Sequence, residues 1–98
     1  MMKSFLVLLG NKRSNGAEQE LLIRHVDHLK NLHDAGNLIT AGPLLDNEGA
    51  VLILKAASKE QAEEFIRNDP FIKEGYYQHF IIKEYTEASD DNNWLLEE

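Results

Sequence analysis

From Lys3 to Leu9 the chain reads Lys-Ser-Phe-Leu-Val-Leu-Leu. Neighbouring residues of a strand point to opposite faces, so Phe5, Val7 and Leu9 share one face and Leu6 and Leu8 the other. Both faces are apolar, the pattern of a strand covered on both sides. Gly10 to Gly16, rich in Asn, Ser and Gly, predicts a loop. From Ala17 or Glu18 to Ala35 the period becomes helical. Leu22, Val26, Leu29 and Leu32 recur at steps of four, three and three and make one stripe. Arg24, Asp27, Lys30, Asn31 and Asp34 fall on the other side. Glu18 and Glu20 lie at the positive end of the helix, and Gly36 is the expected stop.

Asn37 to Leu44 predicts a second strand, limited by Pro43. Asp46-Asn47-Glu48-Gly49 is a turn cluster between apolar runs, so a hairpin leads into a third strand over Ala50 to Lys55. Ser58 with Gln61 three residues later fits a capping box. The helix that follows turns Ala62, Phe65 and Ile66 inward. It ends before Pro70, because the residue preceding a proline is pushed out of the helical region. Asp69-Pro70-Phe71 therefore reads as a helix-to-loop junction, and Gly75 closes a short connection. Tyr76 to Tyr85, rich in aromatic and β-branched residues, predicts the fourth strand.

The order β-α-β-β-α-β predicts an α+β fold of ferredoxin-like type with an antiparallel sheet. Its helices cover one sheet face only. The first and third strands are apolar on both faces, and a second copy of the same sheet is the simplest cover, so a homodimer through the sheet face is expected. The expected domain spans residues 1–86. Residues 87–98 form an acidic tail interrupted by Trp94-Leu95-Leu96. The tail is either disordered or an arm that docks this triplet on the partner subunit.

Composition narrows the function. The chain has 98 residues, enough for one domain with a thin core. Its net charge of −7 and scattered basic residues exclude nucleic acid as an expected partner. An anionic membrane surface is disfavoured for the same reason, and no apolar run is long enough to span a bilayer. Met1 to Leu9 has only Lys3 as a basic residue and no small-residue cleavage site after it, so it is not read as a signal peptide. The absence of cysteine removes thiolate metal sites and a cysteine nucleophile, and fits a cytoplasmic protein.

The candidate chemistry lies in the first helix, which holds His25, His28 and His33. The periodicity places His25 and His33 within the apolar stripe and His28 at its edge. A histidine facing a core must be hydrogen-bonded. It is then either a core residue satisfied by a backbone carbonyl or a functional group. Asp69, before Pro70, is either a turn or cap residue or the carboxylate that orients a histidine and stabilises its protonated form. A His–Asp pair at a sheet edge suits general acid–base work. No HExxH or comparable motif accompanies the histidines, so no metal site is expected. The serines lack a nucleophile-elbow context, and the glycines form no phosphate loop. No cofactor is expected.

The chain resembles the YciI-like (YCII-related) family. The likeness is carried by His25 with Gly36 eleven residues on, by Leu38 and Ala41-Gly42-Pro43, and by Ser58-x-Glu60-x-Ala62. It continues through Asp69-Pro70-Phe71, Gly75 and the apolar strand after it. It covers about residues 3 to 85. The resemblance implies a ferredoxin-like fold that dimerises sheet to sheet into an α+β barrel. It implies an active site on a histidine and an aspartate, here His25 and Asp69, with His28 and His33 structural. It implies that Ala41, Gly42 and Pro43 border the ligand, where a bare backbone allows close approach. Members often carry an arginine three residues before the histidine; Leu22 stands there in this chain. The hairpin at Asp46 to Gly49 is short, and the tail has no counterpart.

By analogy with muconolactone isomerase-like and chloromuconolactone dehalogenase-like proteins, the expected activity is proton transfer on a small acidic or lactone-like molecule. This would make the protein a lyase, isomerase or dehalogenase with His25 as base. The alternative is a non-catalytic dimer that binds a small molecule or serves as an accessory module.

Overall fold

A computed structural model describes residues 2–96. Strand β1 spans Lys3–Lys12, helix α1 Gln19–Asp34, strand β2 Leu38–Pro43 and strand β3 Ala50–Ala56. Helix α2 (Lys59–Arg67) and the one-turn helix α3 (Pro70–Lys73) then lead into strand β4 (Tyr77–Tyr85). The strands form one sheet in the order β2-β3-β1-β4. Every neighbouring pair is antiparallel. This is the expected ferredoxin-like α+β fold.

Alternation along the strands decides which residues meet the helices. Phe5, Val7 and Leu9 of β1 pair with Leu54, Leu52 and Ala50 of β3, and all of them are buried. Leu21 and Leu32 from α1, Ala62 and Ile66 from α2, and Phe71 from α3 close over them. On the other sheet face Leu8 is 38% and Ile81 42% exposed, with Leu6, Val51 and Ile53 partly buried between them. No helix among the described residues covers this face. Among the described residues, no helix is long and apolar enough to cross a membrane.

Four expectations are corrected. First, β1 runs past the predicted loop start, because backbone pairing with β4 continues through Gly10–His79 and Lys12–Tyr77. Main-chain hydrogen bonds outweigh the turn-forming composition there. Second, α1 is rotated relative to the expected stripe. Leu21 and Leu32 are buried, while Leu22 is 43% and Val26 36% exposed. The helix overhangs a cavity instead of lying flat on the sheet, so apolar positions line that cavity as well as the core. Third, His33 lies outside the apolar face. It is exposed, and its Nδ1 sits 3.4 Å from Asp34 Oδ1. Fourth, the chain after Asp69 is helical. Proline suits the first position of a helix, where its missing N–H costs nothing, so Pro70 starts α3 while ending α2.

Ser58 caps α2 as expected, accepting from the Gln61 N–H at 3.1 Å. In place of the reciprocal bond, the Ala57 N–H donates to Gln61 Oε1 at 2.7 Å, one residue earlier than a capping box requires. In the tail, Asp90–Leu95 forms a short irregular 3₁₀ segment, held by Trp94 Nε1–H donating to Asp90 Oδ1 at 2.8 Å. Trp94, Leu95 and Leu96 are exposed. Residues 97 and 98 of the predicted tail, and Met1 of the predicted domain, lie outside the described residues.

Candidate active site

The site begins with the turn between α2 and α3. The Asp69 N–H bonds the Ile66 carbonyl at 3.0 Å, which folds the chain back at the end of α2. Asp69 is then the N-cap of α3: its Oδ1 accepts from the Phe71 N–H at 2.9 Å. Capping explains an aspartate at this position, since a helix start leaves N–H groups without partners. It does not explain the burial, because Asp69 is 0% exposed.

His25 supplies the missing part. Its Nδ1 lies 2.8 Å from the same Asp69 Oδ1. An ionised carboxylate only accepts, so the proton of this bond belongs to Nδ1. The other ring nitrogen, Nε2, has no protein partner among the described residues. The Phe71 ring stacks on the imidazole at 3.8 Å between centroids with 8° between planes. Asp69 thus fixes the ring by one edge and Phe71 by one face. Asp69 Oδ2 is buried without a hydrogen-bond partner among the described residues.

Outside this centre, Arg24 ties α1 to the end of α3. It bonds Glu74 at 2.5 Å and Glu20 at 3.1 Å. The Arg24 guanidinium holds the Glu74 carboxyl below the usual carboxylate range. His28 has a different role from His25. Its Nε2–H donates to the Phe65 carbonyl at 2.8 Å, which makes it the core histidine satisfied by backbone. Sequence reasoning offered that option for the whole helix, and it falls to His28.

His25 borders a cavity of about 530 Å³ between α1 and the sheet. Ala41, Gly42 and Pro43 of β2 form part of its wall. A Cβ placed on Gly42 would meet no atom within 4 Å, so the space over this backbone is open. Four of the five predicted site residues, His25, Ala41, Gly42 and Pro43, therefore line one cavity, and the fifth, Asp69, is buried and bonded to His25 without lining it. Leu22, Val26 and Leu29 line it from α1.

Sequence reasoning missed Lys12, Asn47, Phe71, Tyr76 and Tyr77, which also line the cavity. The one available signal was the aromatic cluster on either side of Gly75. Phe71 and Tyr76 lie 4.5 Å apart, and Tyr76 and Tyr77 5.0 Å apart. Among the described residues no group of three His, Asp or Glu comes together to hold a metal.

Residues 4–86 match the model of the YCII-related domain. The chain belongs to that family. It is 30% identical over 91 residues to Protein YciI of Escherichia coli O6:H1, covering 81% of this chain and 93% of that protein. It is 37% identical over 62 residues to the derivative of benzaldehyde biosynthesis cluster protein C of Emericella nidulans, covering 52% of this chain and 63% of that one. Among solved structures it is similar to 5-chloro-2-hydroxyhydroquinone dehydrochlorinase from Burkholderia phenoliruptrix AC1100, in complex with 2,5-dihydroxybenzoquinone. That match has a TM-score of 0.60 and 26% identity, over 85% of this chain and 93% of the other. The fold is also that of the hydroxynitrile lyase from Passiflora edulis, with a TM-score of 0.50 and 14% identity, over 84% and 90% of the two chains.

Tyr77 provides a test of the cavity wall. Burial first, then Tyr76 and the Asp69 carboxylate, push its hydroxyl above the ordinary tyrosine range. A phenol held protonated in the fold but not in the unfolded chain gives stability that is lost as pH rises. Stability should therefore fall above about pH 10, where the unfolded tyrosine ionises. Tyr77→Phe should flatten this fall in urea unfolding measured across that range. An unchanged slope in the variant would show that Tyr77 is not the group responsible.

Proposed function

We propose that this protein is a small-molecule enzyme of lyase, isomerase or dehalogenase type, with His25 as its general base and Asp69 as the residue that positions it. The observation that carries this reading is the 2.8 Å bond from His25 Nδ1 to a fully buried carboxylate, on a ring that borders a cavity. The bond leaves the lone pair on Nε2. Nε2 removes a proton next to a carbonyl or from an acidic hydroxyl, and the electron pair released either shifts a double bond or expels a leaving group such as chloride. The imidazolium that forms is stabilised by Asp69 behind it. A nearly parallel, stacked Phe71 keeps the ring in one orientation throughout. The similarity to a dehydrochlorinase at 26% identity supports this class of reaction. Ala41, Gly42 and Pro43 are proposed to border the substrate.

The same reading includes a homodimer. The apolar sheet face formed by Leu6, Leu8, Val51, Ile53 and Ile81 is proposed to pack on a second copy of itself, as an isologous interface does. Such a face on a lone subunit is a liability, and a second sheet buries it at the usual sheet-to-sheet spacing of about 10 Å.

A general base contributes about 10²–10⁴-fold. In a screen of chlorinated hydroxyhydroquinones and small lactones, His25→Ala should lower turnover by that order on any substrate the protein converts. A loss smaller than about threefold would remove His25 from the role of base.

Light scattering of the full chain should give the mass of a dimer, and Ile81→Asp should shift it toward monomer. A wild-type monomer at micromolar concentration would contradict the sheet-face interface.

A further inference from the structure

Among the described residues, Lys12 is the one lysine, arginine, aspartate or glutamate in the lining of the His25 cavity. Its surroundings differ from those of every arginine nearby. Arg13, next in sequence, is fully engaged. It pairs with Glu18 at 3.2 Å, donates to the Asn15 and Gly16 carbonyls and lies over the Tyr76 ring. Arg24 is paired with Glu20 and Glu74. Among the described residues, Lys12 has no carboxylate within ion-pairing distance. Its Nζ donates to a neutral group, Asn47 Oδ1, at 2.7 Å. An ammonium has three N–H donors, so two stay available.

Asn47 is built to hold this position. It sits in the turn between β2 and β3 with φ 63°, a left-handed conformation that asparagine tolerates better than most residues. Its own N–H bonds the Leu44 carbonyl at 3.0 Å. The turn therefore presents the amide oxygen, and the amide oxygen aims the ammonium. Lys12 is partly buried and also borders the polar outer groove, where Glu48 lies. The ammonium stands where apolar cavity and outer groove meet.

We infer that Lys12, aimed by Asn47, selects a ligand that carries a negative charge at the mouth of the His25 cavity. The ligand class is a small anion with an apolar or planar body: a carboxylate, or an ionised enol or phenol. The apolar and aromatic walls take the body, and Lys12 takes the charge. The whole chain carries a net charge of −7, so its long-range field does not attract anions. A local cation with no carboxylate within ion-pairing distance is what an anion needs to bind against that field. Charge-assisted hydrogen bonds are roughly twice as strong as neutral ones. The inference rests on the reading of this cavity as the substrate site and assigns its charge selectivity.

The test is binding, read by amide chemical shifts of the full-length protein, separately from turnover. The probes are 2,5-dihydroxybenzoquinone, ionised at neutral pH, and 2,5-dimethoxybenzoquinone, the neutral compound on the same ring. Wild type should prefer the anion, with shifts at Lys12, Asn47 and His25, and the preference should weaken in high salt. Lys12→Gln should bind the anion about tenfold more weakly and the neutral ring as before, while Lys12→Arg should restore most of the loss. Equal binding of both probes by wild type, binding of neither, or an anion preference that survives in Lys12→Gln would each overturn the inference. None of these results depends on whether His25 acts as a base, which only the turnover of His25→Ala decides.

Discussion

A carboxylate with no exposure to water is the constraint on which the site depends. Asp69 is 0% exposed and, among the described residues, one of its oxygens has no partner, so a charge there is held against a desolvation cost of several kcal/mol. Two donors converge on the other oxygen, the Phe71 N–H from α3 and His25 Nδ1 from α1. Removing either leaves a buried charge less well compensated. The pair therefore locks two helices together and orients the imidazole with the same bond. A surface ion pair such as Arg24–Glu74 links the same two helices but is screened by solvent, and it does not substitute for the buried bond.

The fold places this bond at the edge of the core, not within it. Phe5, Val7 and Leu9 meet the helices over the centre of the sheet, and α1 extends beyond them over β2. Leu21 and Leu32 anchor the helix to the core, while Leu22, Val26 and Leu29 face the gap that becomes the cavity. The aromatic residues on both sides of Gly75 form its far wall, and the β2–β3 turn brings Asn47 to its mouth. One scaffold thus separates a core that stabilises from a cavity that is left to be filled. The second sheet face is also apolar, with Leu8 and Ile81 exposed on it.

Most of the architecture could be read from period and punctuation. Strand alternation gave the core faces of β1 and β3, and Gly36, Pro43, Ser58 and Gly75 marked the boundaries. The errors have physical reasons. Periodicity cannot separate an apolar residue that meets the core from one that lines a cavity, so it predicts α1 one face off and His33 inward. Backbone pairing carried β1 through a polar stretch that composition assigned to a loop. Pro70 ends one helix and starts another, and the two uses look the same in sequence. His25 and Asp69 were singled out by family resemblance; that they meet depends on a turn 44 residues from the histidine, which spacing alone does not reveal. Lys12 and Asn47 lie 35 residues apart and left no pattern at all.

The most direct measurement is the tautomer of His25, read from long-range correlations between imidazole protons and nitrogens in the full chain, at a pH where the ring is neutral. The site described predicts a proton on Nδ1, bonded to Asp69, and a bare Nε2 available to a ligand in the cavity. A proton found on Nε2 would mean that the ring does not donate to Asp69. His25 would then have no lone pair to offer the cavity, and the assignment of the His25–Asp69 pair as an acid–base centre would fail.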